Sequence, residues 1–141
     1  MELSNHPVDV GQRSEAAIMA AFIARGFAVL IPWGTNQRYD MVLDVGDRFL
    51  RVQCKTGRLR NGAIEFRSQS VRCNTKQIVI RNYIGEIEYF AVYCPATAGI
   101  YMVRCDETTR GHTTLRVRPA ANCQAKGIRW AADYDLARFD P

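Results

Sequence analysis

The sequence is short of most features that would take it out of the ordinary globular class. Its longest apolar run, Ala16–Ala24, is closed by Glu15 and Arg25, well below the roughly twenty residues a membrane-spanning helix needs. The first ten residues, MELSNHPVDV, lack the basic-then-apolar order of a secretory signal. The five cysteines are odd in number and no two form Cys-x-x-Cys, which argues against a disulfide framework and for reduced thiols in a cytoplasmic protein. A zinc site from Cys105, His112 and Cys123 would have a spacing that fits no known ligand pattern. There is no internal repeat, low-complexity tract or linker in the 141 residues. The expectation is one domain, 1–141, with residues 1–8 as a flexible arm. Acidic residues are outnumbered, 14 against 19 basic, for a net charge of +5. That suits an anionic partner such as nucleic acid, although many basic proteins bind none.

What is present centres on Tyr39–Gly57, YDMVLDVGDRFLRVQCKTG. Two runs rich in β-branched and aromatic residues are separated by Gly46-Asp47 alone. Glycine first in a two-residue loop suits a type II′ hairpin turn. With that loop, Val45 faces Arg48 and Asp40 faces Gln53. Opposed side chains share a face, with Cβ atoms about 4.5–5.5 Å apart. The period of two adds Arg51 and Lys55 to that face and sends Leu50, Val52 and Cys54 to the other. A carboxylate, an amide and a lysine thus converge at the open end of the hairpin. A half-exposed hairpin with ordinary surface polar residues reads equally well from this stretch alone.

Before the hairpin, Asp9 is the expected cap of a helix running to about Arg25, with Gln12 completing a capping box and Gly26 ending it. Val10, Ala17, Ile18, Ala21 and Phe22 form its apolar stripe. Glu15 lies at the margin of that stripe. It is either a helix-start acid favoured by the dipole or an acid aimed at whatever the helix packs on. Phe27–Ile31 reads as a short buried strand and Pro32–Arg38 as a loop. After the hairpin, Thr56–Gly62 is expected as a turn, Ala63–Ser68 as a strand and Gln69–Arg81 as an irregular basic segment. Tyr89–Cys94 and Ile100–Arg104 read as paired strands. Thr113–Val117 is a further strand, Pro119–Gly127 a loop, and Trp130–Arg138 a short terminal helix or turn. The order predicts an α/β (α+β) domain, a mixed β-sheet with the first helix laid over it.

Glu15 on the helix, Asp40 in one strand and Gln53-Cys54-Lys55 in the next resemble the active site of the PD-(D/E)XK nucleases. The segments YIGEIEYFAVYCP at 83–95, GIYMV after it, and RPAANCQAKGIRWAADYDL at 118–136 resemble the small group I intron-encoded homing endonucleases of that superfamily. These relatives share a core with archaeal Holliday-junction resolvases. The resemblance runs from about Gly11 to Leu136 and implies a restriction-endonuclease-like fold. It implies Asp40 as the metal-bridging carboxylate, Lys55 as the catalytic lysine and Glu15 as the helix-borne acid. Gln53 stands where most of the superfamily has Glu or Asp, and the intron-encoded branch uses glutamine there too. Tyr39 replaces the proline that names the motif. The peptide carbonyl of Cys54 is a further candidate ligand.

Those roles imply Mg²⁺, with Mn²⁺ able to substitute, and hydrolysis of phosphodiester bonds in double-stranded DNA. An amide oxygen still ligates a hard cation, but as a dipole where a carboxylate brings a full charge. Arg51, Arg58, Arg60, Arg67, Arg72 and Lys76 flank the site. They are either phosphate contacts or solvated surface charge. One such site cuts one strand, so double-strand cleavage implies a homodimer or homotetramer. No membrane partner is expected. A structure-specific nuclease of the Holliday-junction-resolvase kind is the nearest alternative. A DNA-binding module whose nuclease site has lapsed, with Gln53 as the scar, is the non-enzymatic one, and a protein-interaction domain without DNA is a third.

Overall fold

A computed structural model describes residues 1–122 and 126–141. The chain opens with helix α1, Pro7–Ala24. It begins two residues before the expected Asp9 cap. Proline forces His6 into extended geometry (φ −61°, ψ 134°), and the His6 ring accepts the Val8 N–H at 3.3 Å. Pro7 then occupies the first helical position, where its missing N–H costs nothing, and Asp9 falls in the first turn. Gly26 ends the helix at φ +87°, as expected.

Among the described residues ten strands follow: β1 (Ala28–Leu30), β2 (Met41–Asp44), β3 (Phe49–Thr56), β4 (Arg58–Arg60), β5 (Ala63–Arg67), β6 (Ser70–Cys73), β7 (Ile78–Arg81), β8 (Tyr89–Cys94), β9 (Gly99–Arg104) and β10 (His112–Arg116). The main sheet has the order β1-β2-β3-β8-β9. Only β3 and β8 run parallel. One face takes α1: Ile18 and Phe22 are fully buried against Met41, Leu43, Leu50, Val52, Ala91 and Met102. Complete burial of each such side chain stabilises by about 1.5–3 kcal/mol. The opposite face, with Phe90, Val92 and Val103, packs on Ile64, Phe66 and Leu115 of a second sheet, β10-β5-β4. The fold is therefore the expected mixed sheet carrying an N-terminal helix, with a small antiparallel sheet on its other side. Short helix α2 (Ala131–Tyr134) and a 3₁₀ turn at Leu136–Arg138 close the chain. No helix among the described residues is long and apolar enough to cross a membrane.

Three segments differ from expectation. The apolar run Phe27–Ile31 is not a buried strand. Its core, β1, sits at the sheet edge, and Leu30 and Ile31 are exposed. Thr56–Gly62 is not a turn: Arg58–Arg60 is strand β4, and only Asn61-Gly62 turns. Both take positive φ, +50° and +75°, the type I′ geometry that Asn-Gly favours. Gln69–Arg81 is not irregular but an antiparallel ribbon of β6 and β7, with every residue from Val71 to Arg81 exposed.

Gly57 joins the two sheets. A Cβ there would lie 2.6 Å from Ile64 Cγ2 and 2.9 Å from Val92 Cγ1. The passage from β3 to β4 thus depends on a missing side chain. Gly57→Ala should lower unfolding stability by about 1–3 kcal/mol, read from denaturant melts. Gly11, inside α1, is the internal comparison, because a methyl added there would meet nothing within 4 Å. Gly11→Ala should raise stability by up to about 1 kcal/mol.

Candidate active site

The hairpin has the register its turn dictates. Val45 N–H donates to Arg48 O at 3.1 Å across Gly46-Asp47, and Met41 pairs with Val52. One residue back, Asp40 N–H donates to the carbonyl of that same Val52 at 2.8 Å, a bulge in which Asp40 and Met41 share one partner, so the regular pairing ends at Met41 and the expected Asp40–Gln53 pair is not part of the ladder. The Asp40 carboxylate reaches across the hairpin, Oδ2 accepting the Cys54 N–H at 2.8 Å. Leu50 and Val52 go to the helix side, as the period of two requires. Gln53 pairs with Phe90 and Lys55 with Val92, residues of the opposite core.

Helix α1 brings Glu15 to the same place, through a device that the sequence patterns do not single out. Ser14 is buried in the apolar stripe, and its Oγ lies 2.6 Å from Thr56 Oγ1, one residue past Lys55. That hydroxyl pair pins the helix to the end of β3. A serine amid Ala and Ile on a helix face is the available signal. Glu15, next in sequence, has its carboxyl raised above the usual range by burial and then by the Asp40 charge. The helix acid and the hairpin acid thus feel each other.

Lys55 has two neighbours that no sequence motif marks. Its Nζ donates to Tyr83 Oη at 3.4 Å and lies 5.1 Å from the ring centroid. The Arg38 guanidinium stacks on the same ring, 4.0 Å from its centroid. Arg38 is itself held by Glu86 (2.5 Å), Ser70 Oγ (2.9 Å) and the Asn82 carbonyl (2.7 Å). All of these contacts span long sequence separations, so no local pattern announces them.

Burial raises the Asp40 carboxyl above its ordinary range, opposed by the Cys54 N–H and the Lys55 charge. Burial lowers Lys55 from 10.5 to about 8; Asp40 opposes the shift, and Arg67 and Arg38 reinforce it. Burial, with Asp40 and Glu15, holds the Cys54 thiol well above its usual value, so it stays protonated and serves neither as thiolate ligand nor nucleophile. These donors fit a hard divalent cation. Two partly buried carboxyls resist ionising together and have a single ammonium beside them. Among the described residues, the Glu15 carboxylate and the Gln53 amide make no hydrogen bond or ion pair, leaving their oxygens uncommitted. No group of three His, Cys, Asp or Glu among those residues is placed to hold a metal. An amide or peptide oxygen would therefore have to complete the set.

The flanking cations separate into two groups. Arg58, Arg60 and Arg67 alternate onto the outer face of the second sheet, where they line a cleft of about 470 Å³ with Thr56 and His112. Arg72 and Lys76 lie on the ribbon and its turn. None of these five makes an ion pair or side-chain hydrogen bond among the described residues. Arg51 is different: its guanidinium grips Glu88 at 2.8–3.1 Å, and Glu88 also accepts the Arg51 N–H. Cys105 is buried in the second core and His112 sits 3.8 Å from Glu65. The third member of the zinc alternative, Cys123, lies outside the described residues.

Lys55 supplies a test of the buried charge. Its folded-state pKa is depressed, so the cost of holding it ionised is fully present below about pH 8 and disappears as pH rises toward 10.5. Without divalent metal, the stability of the wild type relative to Lys55→Met should therefore rise by about 2–3 kcal/mol across that window. Urea melts across the pH range would measure it.

Residues 5–137 match the family described as PD-(D/E)XK endonuclease. No curated protein matches the chain. Among solved structures, the bacterial homing endonuclease I-Ssp6803I superposes with a TM-score of 0.78 at 21% identity, over 94% of this chain and 90% of that one. The Holliday junction resolvase Hjc of Archaeoglobus fulgidus gives a TM-score of 0.46 at 15% identity, over 75% and 83%. With nearly the whole length matched to the family and a homing endonuclease sharing the fold, this chain belongs to the PD-(D/E)XK endonucleases.

Proposed function

We propose that the protein is a divalent-metal-dependent DNA endonuclease of the homing type, acting as a symmetric homo-oligomer. The observation that carries this reading is the convergence of Glu15 and Lys55 on Asp40, each electrostatically coupled to it. Asp40 and Glu15 would hold the cation, with the Gln53 amide oxygen and the Cys54 carbonyl as further ligands. The chemistry that Mg²⁺ or Mn²⁺ would supply there is polarisation of the scissile phosphate and a lowered pKa for a coordinated water. The Cys54 N–H fixes one Asp40 oxygen, which leaves the other for ligation. Lys55 orients the attacking water or stabilises charge developing on the phosphate oxygens. Its partly desolvated site strengthens that interaction relative to one in open water.

Arg58, Arg60, Arg67, Arg72 and Lys76 are the proposed phosphate contacts, because their charges are uncommitted within the chain. Arg51 is assigned to structure, since Glu88 already occupies its fork. The homing type follows the resemblance of the later chain and the glutamine at 53, and the fold likeness to I-Ssp6803I is consistent with it.

The wild type should nick supercoiled plasmid with Mg²⁺ or Mn²⁺, and Asp40→Ala and Lys55→Ala should each lose roughly 100-fold or more in rate. Equal rates in all three would make the protein a DNA-binding module. A synthetic four-way junction cut in preference to plasmid would make it a resolvase. Mn²⁺ should also raise the melting temperature of the wild type but not of Asp40→Ala. That gain should be larger at neutral than at mildly acidic pH, because the carboxyls must lose their protons to bind.

DNA affinity gives a separate measure of the arginines. Single Ala substitutions at Arg58, Arg60 or Arg67 should each reduce the slope of log affinity against log salt by about 1. Arg51→Ala should leave the slope unchanged.

A further inference from the structure

Tyr83 and Arg38 stand between the β6–β7 ribbon and the lysine. The Tyr83 side chain is almost fully buried, its ring edge-on to Phe90 at 5.3 Å. Phenylalanine would fill that space equally well. A buried phenol needs a polar partner, and this one meets the Lys55 ammonium. Arg38 lies over the same ring, 4.0 Å from its centroid, and its guanidinium fork is fixed by three bonds. Glu86 receives its Nε, Ser70 at the start of β6 its Nη1, and Asn82 just past β7 its Nη2. Glu86 is held in turn by Arg81, the last residue of β7, at 2.6 Å. Both ends of the ribbon are thus bonded to the guanidinium that lies on the Tyr83 ring. A lysine at 38 would carry the same charge but lack the planar fork that makes three directed bonds.

We propose that Tyr83 and Arg38 are positioning residues for Lys55, and that through them the seating of the β6–β7 ribbon sets where the ammonium stands. This rests on the nuclease reading for its catalytic consequence, but not for its geometry. Lys55 is an ammonium on four flexible methylenes, and its strand fixes only its Cα. The Tyr83 hydroxyl restricts the terminal atom, and Arg38 restricts Tyr83. Anything that moves the ribbon, as bound DNA would, acts on Arg38 first.

The test uses two readouts on the same variants. In the metal-free protein, the rate of Lys55 acetylation by acetic anhydride, followed by mass spectrometry, reports how freely Nζ is presented. With Mn²⁺ and plasmid, kcat is compared with KM. Tyr83→Phe should retain the wild-type melting behaviour and a KM within about twofold, while kcat falls roughly tenfold, the effect of one lost bond to a charged group. Its Lys55 should acetylate several times faster than in the wild type. Ser70→Ala, which removes the β6 link to Arg38 together with the Ser70 bond to the Arg81 carbonyl, should shift both readouts in the same direction by less. Arg38→Lys should not restore them.

Unchanged acetylation and unchanged kcat in Tyr83→Phe would overturn the proposal, and so would a kcat loss matched by a lowered melting temperature. If the wild type does not nick DNA, the nuclease reading fails, and the acetylation rates alone decide whether Tyr83 and Arg38 position the lysine.

Discussion

The turn at Gly46-Asp47 governs what the rest of the molecule can do. A two-residue loop allows one register, which sets Met41 opposite Val52 and delivers the Asp40 carboxylate to the Cys54 N–H. A slip of one residue would turn every side chain of one strand to the opposite face. Leu50 and Val52 would leave α1, and Lys55 would leave Tyr83. The hydrophobic and polar sets therefore constrain each other. Burying the helix-facing side chains is what presents Gln53 and Lys55 on the other face, and the Asp40–Cys54 bond closes the open end of the same hairpin.

That arrangement gathers groups that would not choose to be together. Two carboxyls are held above their ordinary pKa and an ammonium below its own, all three chiefly by loss of water. The stability must come from elsewhere in the fold. It comes from two cores, one on each side of the main sheet, and from anchors that hold each ionisable group without neutralising it. Ser14 and Thr56 fix the helix next to Glu15, the Cys54 peptide fixes Asp40, and Tyr83 meets Lys55. By contrast, Glu86 and Glu88 are fully engaged by arginines and their carboxyls are held below the usual range despite partial desolvation. Glu86 and Glu88 are thus spent on arginines, whereas Glu15 retains free oxygens among the described residues.

What the sequence discloses follows the reach of each signal. The hairpin is legible because turn, alternation and register are all local, and β8 and β9 because a wholly apolar run ends at a proline. The Asn61-Gly62 turn is equally local, but the two arginines around Leu59 do not look like a strand until their sheet is known. They form one by pairing with β5, although all three residues of β4 stay exposed. The ribbon leaves no such trace, since both its faces are exposed and no hydrophobic period is required of it. The run at Phe27–Ile31 misleads in the opposite sense. Apolar content suggests burial, yet its strand has a neighbour on one side only. Tyr83 and Arg38 lie 28 and 17 residues from Lys55 along the chain, and only the parallel pairing of β3 with β8 folds the Tyr83 turn over the lysine.

The position of that parallel pair also explains why basic charge collects where it does. β3 is central to the main sheet and continues through Gly57 directly into β4, so the strand that ends in Lys55 leads into the one that carries Arg58 and Arg60. Alternation then puts Arg67 on the same outer face, and the charge of Arg67 already reaches Lys55. Under the proposed function, a polyanion following those arginines would be directed toward the end of β3 and would there encounter the two acids. Anion attraction and acid repulsion meet within a few residues, and a divalent cation between them would reconcile the two. The +5 net charge says only that a polyanion is welcome; the continuity of β3 into β4 says where it would lie.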